Sequence, residues 1–278
     1  MEKIKVITDS TCDLPSSLTD LLDIEVIPLE VHFGEESYKD GVNLKVLAFF
    51  DKIKTTNVFP TTSQINPQRF YECYNRYLNE GYSIISIHLS SKMSGTYQSA
   101  CMAKEMLGSD KLVVIDSLNV TAGLGLLVLK TKELISEGFN IMETKLKIEV
   151  LRDKVKSILA FDSLEHLVKG GRLSKTAGLV GSVLGIKLLL SIKDGKLELI
   201  DKVRGTKKAI RKIIDYSKEI SLSKEDKPIL LHILSEEVRG SLKKYLEESR
   251  MDYIECEVGC VVATHSGPGA CGLFFLEE

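Results

Sequence analysis

Two short stretches, both expected to be loops, concentrate hydroxyl side chains, and each precedes a helical pattern. They are residues 61–64 (TTSQ), which include Thr62 and Ser63, and residues 90–100 (SSKMSGTYQSA). Hydroxyl oxygens and the free N–H groups of a helix N-terminus can together hold a carboxylate or a phosphate. In the second stretch Ser94, Gly95 and Thr96 would supply them. The pattern predicts an anion-binding site, and a capped turn without a ligand is the simpler alternative.

Three further side chains are candidates for the same chemistry. His265 lies in the loop-like sequence THSGPG, and histidine can act as acid, base or hydrogen-bond donor near neutral pH. Arg172 follows two glycines and Arg204 precedes one, so each could bind an anion through two N–H groups. Ser94 and His265 could instead be a nucleophile and its base. No Gly-x-Ser-x-Gly motif surrounds Ser94, which favours binding over attack.

The acidic and sulfur-containing residues give no clear metal signal. Asp9 and Asp13 follow a predicted strand, where capping and loop hydrogen bonds are the favoured roles over a metal or acid–base site, and Asp116 ends another predicted strand without an assigned role. The six cysteines form no CxxC pair, and Cys256 and Cys260 are expected in one strand without a histidine at ligand spacing. We therefore expect no metal, and without a GxGxxG motif no nucleotide cofactor.

Alternating strand and helix patterns must position these residues. Over residues 1–156 the predicted strands are 4–8, 25–33, 84–89 and 111–116, with helices between them, which favours a parallel α/β sheet. Residues 157–278 predict a mixed α/β domain with a glycine-rich stretch at 174–185. It contains a strand at 158–161, a helix at 164–173, a hairpin turning at Asp194-Gly195 and strands at 229–234, 253–262 and 271–276. The fold class is α/β with two domains.

Net charge and the length of apolar runs argue against some functional classes. The chain has 278 residues and a formal net charge of −2, which gives no electrostatic basis for binding nucleic acid or an anionic membrane. No apolar run reaches the length of a membrane span, so stable membrane insertion is not expected. The chain begins in a predicted strand, without a signal-peptide pattern, and a cytoplasmic protein is expected.

Several of these motifs resemble the DegV family, in the order that the family has them. They are residues 9–15 (DSTCDLP), 62–64 (TSQ), 90–100, 116–117 (DS), 167–174 (LVKGGRLS), 185–187 (GIK) and 265–269 (HSGPG). The resemblance covers nearly the whole chain. It implies a two-domain α/β protein that holds a long-chain fatty acid such as palmitate in a tunnel between the domains. The carboxylate would lie at Thr62, Ser63, Ser94 and Gly95, near His265.

The resemblance also implies a partner. Some members of the family are the acyl-binding subunit of a fatty acid kinase, whose separate catalytic subunit phosphorylates the carboxylate for phospholipid metabolism. Arg172, Arg204 and His265 are then the candidates for contact with the phosphate or the kinase, and the chain itself is not an enzyme. Two alternatives stay open: a stand-alone serine hydrolase or phosphotransferase using Ser94 and His265, and a binding protein for another anionic or apolar ligand.

Overall fold

A computed structural model describes residues 2–56, 58–173, 185–220 and 226–278. The strands are, in chain order, β1 (Ile4–Asp9), β2 (Ile24–Ile27), β3 (Glu30–Phe33), β4 (Glu36–Lys39), β5 (Thr61–Ser63), β6 (Ser83–His88), β7 (Leu112–Asp116), β8 (Val155–Phe161), β9 (Ile186–Lys193), β10 (Lys196–Arg204), β11 (Ile229–His232), β12 (Ile254–Glu257) and β13 (Cys271–Leu276). Most of the predicted glycine-rich stretch, including Gly178 and Gly181, lies outside the described residues.

The helices cover these sheets. They are α1 (Ser16–Leu21), α2 (Val46–Thr56), α3 (Pro67–Asn79), α4 (Thr96–Leu107), α5 (Ala122–Ser136), α6 (Ile141–Leu151), α7 (Glu165–Lys169), α8 (Thr206–Glu219), α9 (Glu236–Glu248) and α10 (Cys260–Ser266). Local signals explain several of their boundaries. Asn66 caps α3 by accepting from the Arg69 N–H, with Pro67 at the first helical position as expected.

The first sheet has the order β2–β1–β6–β7, and all its pairs are parallel. Its central strands β1 and β6 are buried along nearly their whole length, as in sheets that helices cover on both faces. The parallel α/β sheet predicted from the sequence is therefore confirmed. Its carboxyl edge delivers the loops after β1, β6 and β7, where ligands bind in folds of this type.

The second sheet is mixed, as predicted, with the order β10–β9–β8–β13–β11–β12. All neighbours are antiparallel except the parallel pair β11–β12. The predicted hairpin is present, and Asp194 and Gly195 both have positive φ, which is the backbone that a two-residue turn requires. The predicted boundary at 156/157 falls inside β8, and the division into two domains remains a prediction. One hydrophobic cluster includes residues of every sheet.

Four local predictions are wrong. Residues 25–33 are two strands in different sheets, since the chain turns at Pro28 and β3 joins a small antiparallel sheet of order β4–β3–β5. Residues 61–63, expected in a loop, are the edge strand β5. The helix predicted at 164–173 is only the short α7. Residues 253–262 are not one strand, because β12 ends at Glu257 and α10 begins at Cys260.

Candidate functional site

A cavity lies between the parallel sheet and the six-stranded sheet, with β5 of the small sheet contributing to its wall. Most of its lining is apolar and comes from both halves of the chain: Leu29, Leu89, Met93, Val120, Leu159, Phe161, Leu167, Ile192, Leu197, Leu231, Val258, Val261, Val262 and Ala270. The polar lining residues are Thr11, Thr62, Ser63, Gln64, Ser94, Gly95, Thr121, Arg172, His265 and Ser266. A wall of this composition suits a ligand with a long apolar body and one polar end.

Strand β5 positions Thr62 and Ser63 at the cavity. The Thr62 hydroxyl is 2.9 Å from Nε2 of His265, which joins two residues 203 positions apart in the sequence. The Ser63 hydroxyl is 2.8 Å from Nε2 of His32, and Nδ1 of His32 is 2.7 Å from the hydroxyl of Ser37. His32, which no sequence motif singled out, therefore orients the hydroxyl of Ser63.

The start of α4 provides the second set of polar groups. The Ser94 hydroxyl lies 3.0 Å from that of Thr96 and accepts from the Thr96 N–H, so the two side chains orient each other. Thr96 is buried and lies behind the lining residues. A Cβ on Gly95 would lie 2.0 Å from Oε1 of Gln64, whose amide donates to the hydroxyl of Ser99. Glycine at position 95 thus lets the end of β5 approach the start of α4.

His265 lies in the last turn of α10, and the expected position in a loop between two strands is wrong. Burial, with Arg172 and His166 nearby, lowers its pKa to about 4, so the imidazole is neutral at pH 7. Nδ1 of His265 is buried and has no hydrogen-bond partner among the described residues. The position that a Cβ of Gly170 would occupy is 2.2 Å from this Nδ1. The glycine after α7 therefore makes room for the imidazole.

The two candidate arginines lie in different places. Arg172 is exposed, lines the cavity, and donates from Nε to the carbonyl of Met93 beside Ser94. Arg204 is exposed at the end of β10, where it pairs with Ile186, and it is not among the described residues lining the cavity. The structure therefore brings Arg172 to the polar end of the cavity, whereas the role of Arg204 as a contact for a phosphate or a kinase stays a prediction.

Asp9 and Asp116 accept hydrogen bonds from backbone N–H groups of the loops at the sheet edge. Asp9 accepts from the N–H and hydroxyl of Thr11, from the Leu89 N–H and from Nδ1 of His88. Asp116 accepts from the N–H groups of Ser91 and Leu118 and so closes the loops after β6 and β7. The contacts of Asp9 agree with the capping role favoured by the sequence.

Asp13 and Asp40 accept from the first N–H groups of α10, Gly259 and Cys260 respectively. They thereby fix the start of the helix that carries His265. Among the described residues no group of three or more side chains is arranged to hold a metal ion.

The positions of the Ser94 hydroxyl and the His265 imidazole disfavour the serine hydrolase alternative. Attack by a serine requires its hydroxyl to lie within hydrogen-bond reach of the base. The Ser94 hydroxyl bonds to Thr96, whereas Nε2 of His265 bonds to Thr62. Within the part of the chain that the structure describes, no carboxylate orients Nδ1 of His265 as a triad would require. The arrangement can hold an oxyanion through several donors and does not form a nucleophile–base pair.

The comparisons with known proteins agree with the motifs. The DegV family model matches residues 3–278. The chain belongs to the DegV family. It is 53% identical to a DegV domain-containing protein of Clostridium acetobutylicum and 49% identical to one of Clostridium perfringens, in each case over 100% of both chains.

Solved DegV structures have the same fold. A fatty-acid-binding DegV family protein from Thermus thermophilus superposes with a TM-score of 0.91 and is 30% identical, over 99% of this chain and 100% of that one. DegV of Bacillus subtilis, a fatty acid binding protein, gives a TM-score of 0.85 at 31% identity over 100% of both chains. The DegV-like α/β fold predicted from the sequence is thus confirmed. In the described residues no helix has the length and apolar character needed to cross a bilayer.

Proposed function

We propose that this DegV protein binds a long-chain fatty acid in the cavity, with the carboxylate at Thr62, Ser63, Ser94 and Gly95, and His265 beside it. The observation that carries the proposal is the junction of a largely apolar wall with one polar cluster built around the Thr62–His265 contact. The fatty-acid-binding proteins of the same family and fold support the ligand class.

The physical chemistry of such a ligand fits this division. Each buried methylene stabilises the complex by about 0.8 kcal/mol, so a chain of palmitate length has enough apolar surface for tight binding after ordering costs. A buried carboxylate requires hydrogen-bond donors. Hydroxyls of Thr62 and Ser94, together with N–H groups at the start of α4, supply them without a buried cation. The neutral imidazole of His265 can donate from Nε2 to the Thr62 hydroxyl, which leaves the hydroxyl proton for the carboxylate and avoids the cost of a buried charge.

We further propose that the carboxylate is presented to a separate ATP-dependent kinase subunit, as the family motifs imply. The support is the exposed guanidinium of Arg172 at the polar end of the cavity, where an incoming phosphate would need a cation. This chain would then be the acyl-binding subunit and not the catalyst. A cytoplasmic location belongs to the same proposal, because the partner would use ATP.

Native mass spectrometry of the purified protein, followed by organic extraction, tests the ligand. We expect a stoichiometric adduct that extracts as a long-chain fatty acid, and uptake of palmitate by ligand-free protein. The double variant Thr62→Ala/Ser94→Ala should bind palmitate at least about a hundredfold more weakly, because a hydrogen bond to a charged group contributes about 1.5–3 kcal/mol. Unchanged affinity would show that the carboxylate lies elsewhere.

A matched control removes two hydroxyls of the same types away from the cavity. In Thr55→Ala/Ser136→Ala both lost hydroxyls bond only to carbonyls of their own helices, those of Asp51 or Lys52 and of Glu133. This variant should bind palmitate like the wild type. Equal loss in both double variants would indicate general destabilisation and would contradict the assigned site.

A separate assay tests whether the bound carboxylate is presented to a kinase. With a fatty acid kinase catalytic subunit and ATP, Arg172→Ala should retain bound palmitate and lose most formation of acyl-phosphate, measured as the hydroxamate. Arg204→Ala is the comparison, since Arg204 is not among the described residues that line the cavity. Turnover of esters or ATP by the isolated chain, abolished in Ser94→Ala, would instead establish the enzyme alternative.

A further inference from the structure

The tip of the β9–β10 hairpin extends beyond the last backbone pair between β9 and β8. Strand β8 pairs with β9 from Phe161–Leu188 to Leu159–Leu190, and β9 continues to Lys193. Past this point a side chain of β8 replaces its backbone as the hydrogen-bond partner of β9. The N–H of Ile192 donates to the hydroxyl of Ser157 at 2.9 Å. The position of the tip therefore depends on a few specific contacts.

On the side away from β8, the tip is hydrogen-bonded to a loop at the carboxyl edge of the parallel sheet. The Ser90 hydroxyl, in the loop that leads to Ser94, donates to the carbonyl of Gly195 at 2.8 Å, and both residues are buried. A Cβ on Gly195 would lie 2.5 Å from that hydroxyl and 3.2 Å from Leu118. A hairpin turn is normally solvated. This one is pressed against the loops that follow β6 and β7.

The two faces of the tip meet different environments. Ile192 and Leu197 are direct cross-strand partners, and both line the apolar cavity. Ser191 and Glu198, the next cross-strand pair, line a second, larger groove beside α8. The lining of that groove mixes charged side chains, such as Asp201 and Glu219, with apolar ones, and Ile192 belongs to it as well as to the cavity. At this point a single layer of hairpin separates the apolar cavity from the groove.

We propose that the Ile192–Leu197 pair, held in place by the Ser90–Gly195 hydrogen bond, is the wall that limits the acyl chain and so determines which chain length is bound. The inference rests on the proposed function and deepens it. An acyl chain that met this pair would have to displace the two side chains to go further, because Ile192 lines the cavity on one side and the groove on the other. The two side chains therefore define the usable length of the cavity.

The test is a competition among saturated fatty acids of 14, 16, 18 and 20 carbons for ligand-free protein, read by native mass spectrometry. Ile192→Ala and Leu197→Ala should each move the preferred length upward. Room for two more methylenes raises the preference for the longer acid roughly 15-fold, at about fourfold (0.8 kcal/mol) per buried methylene. Ile192→Phe should move the preferred length downward. Ser90→Ala should broaden the range of chain lengths that are bound, since it removes the hydrogen bond that holds the hairpin tip.

Leu199→Ala is the matched control. Leu199 lies two residues along β10, is half-buried against the same hydrophobic cluster, and is not among the described residues lining the cavity. Its profile should equal that of the wild type. The proposal is overturned if Leu199→Ala shifts the profile as much as Leu197→Ala, or if neither the Ala nor the Phe variant shifts it while palmitate still binds. Absence of fatty acid binding in the wild type would instead refute the proposed function. Leu197 is half-exposed, so its alanine variant should fold even if Ile192→Ala does not.

Discussion

Gly170 supports the candidate site without offering any side chain to it, and its substitution by alanine is a specific test. Gly170 has φ −75°, a backbone that alanine adopts freely, so no backbone strain is expected. The new Cβ would be 2.2 Å from Nδ1 of His265. Ordinary contact begins at 3.4 Å, so the imidazole must move by about 1.2 Å (3.4 − 2.2).

That displacement is large compared with the tolerance of a hydrogen bond. The His265–Thr62 distance is 2.9 Å, and hydrogen bonds of this kind extend to about 3.2 Å. The bond should therefore break, and the Thr62 hydroxyl should lose the partner that orients it toward the proposed carboxylate position. Because a hydrogen bond to a charged group contributes about 1.5–3 kcal/mol, palmitate affinity should fall by roughly 10- to 150-fold. The melting temperature of the ligand-free protein should change little, since a single side chain can rotate away.

Gly171→Ala is the control for this prediction. Gly171 has φ +71° and nothing within 4 Å of its Cβ position, so alanine there costs stability through the backbone and leaves His265 in place. We expect a lower melting temperature with unchanged palmitate affinity, the reverse of Gly170→Ala. Titration with palmitate and thermal unfolding of both variants measure the two effects. Wild-type affinity in Gly170→Ala, or equal losses of affinity in the two variants, would refute the reasoning.

Three further predictions concern the stability of variants at His265, Asp13 and Gly272. The pKa of His265, ordinarily 6.5, is about 4 in the fold, so its stabilisation is complete above pH 6.5 and is lost as the pH falls toward 4. The free energy of unfolding of His265→Asn, measured in urea, should therefore fall less over this range than that of the wild type, and an equal slope would contradict this. Burial and the neighbouring Asp40 raise the pKa of Asp13, so the wild type loses stability as the pH rises. Asp13→Asn should raise the melting temperature relative to wild type more at about pH 8 than at about pH 5, and the opposite order would refute it. A Cβ on Gly272 would lie 2.0 Å from the carbonyl oxygen of Ile158, and Gly240 in α9 has open space. Gly272→Ala should yield little folded protein, whereas Gly240→Ala should stabilise by up to about 1 kcal/mol in urea unfolding, and equal effects would contradict this account.

Much of the fold could be predicted because its signals are local. Buried apolar runs identified β1, β6 and β7, Asn66-Pro67 identified the start of α3, and Asp194-Gly195 identified the hairpin. The same periodicity misassigned residues 253–262, because a short apolar run is compatible with a strand or a buried helix. The pair of carboxylates that fixes the start of α10 comes from Asp13 and Asp40, far away in the sequence.

The sequence by itself determined the element types, the family motifs and the polar residues worth considering, since these depend on residue type and short spacing. Only the tertiary structure decided which of them meet. It joined Thr62 to His265, placed Arg172 but not Arg204 in the described lining of the cavity, and paired Ile192 with Leu197 in that lining. The physical reason is that a site is a set of distances between distant segments. Those distances are set by how sheets and helices pack, and no local pattern encodes them.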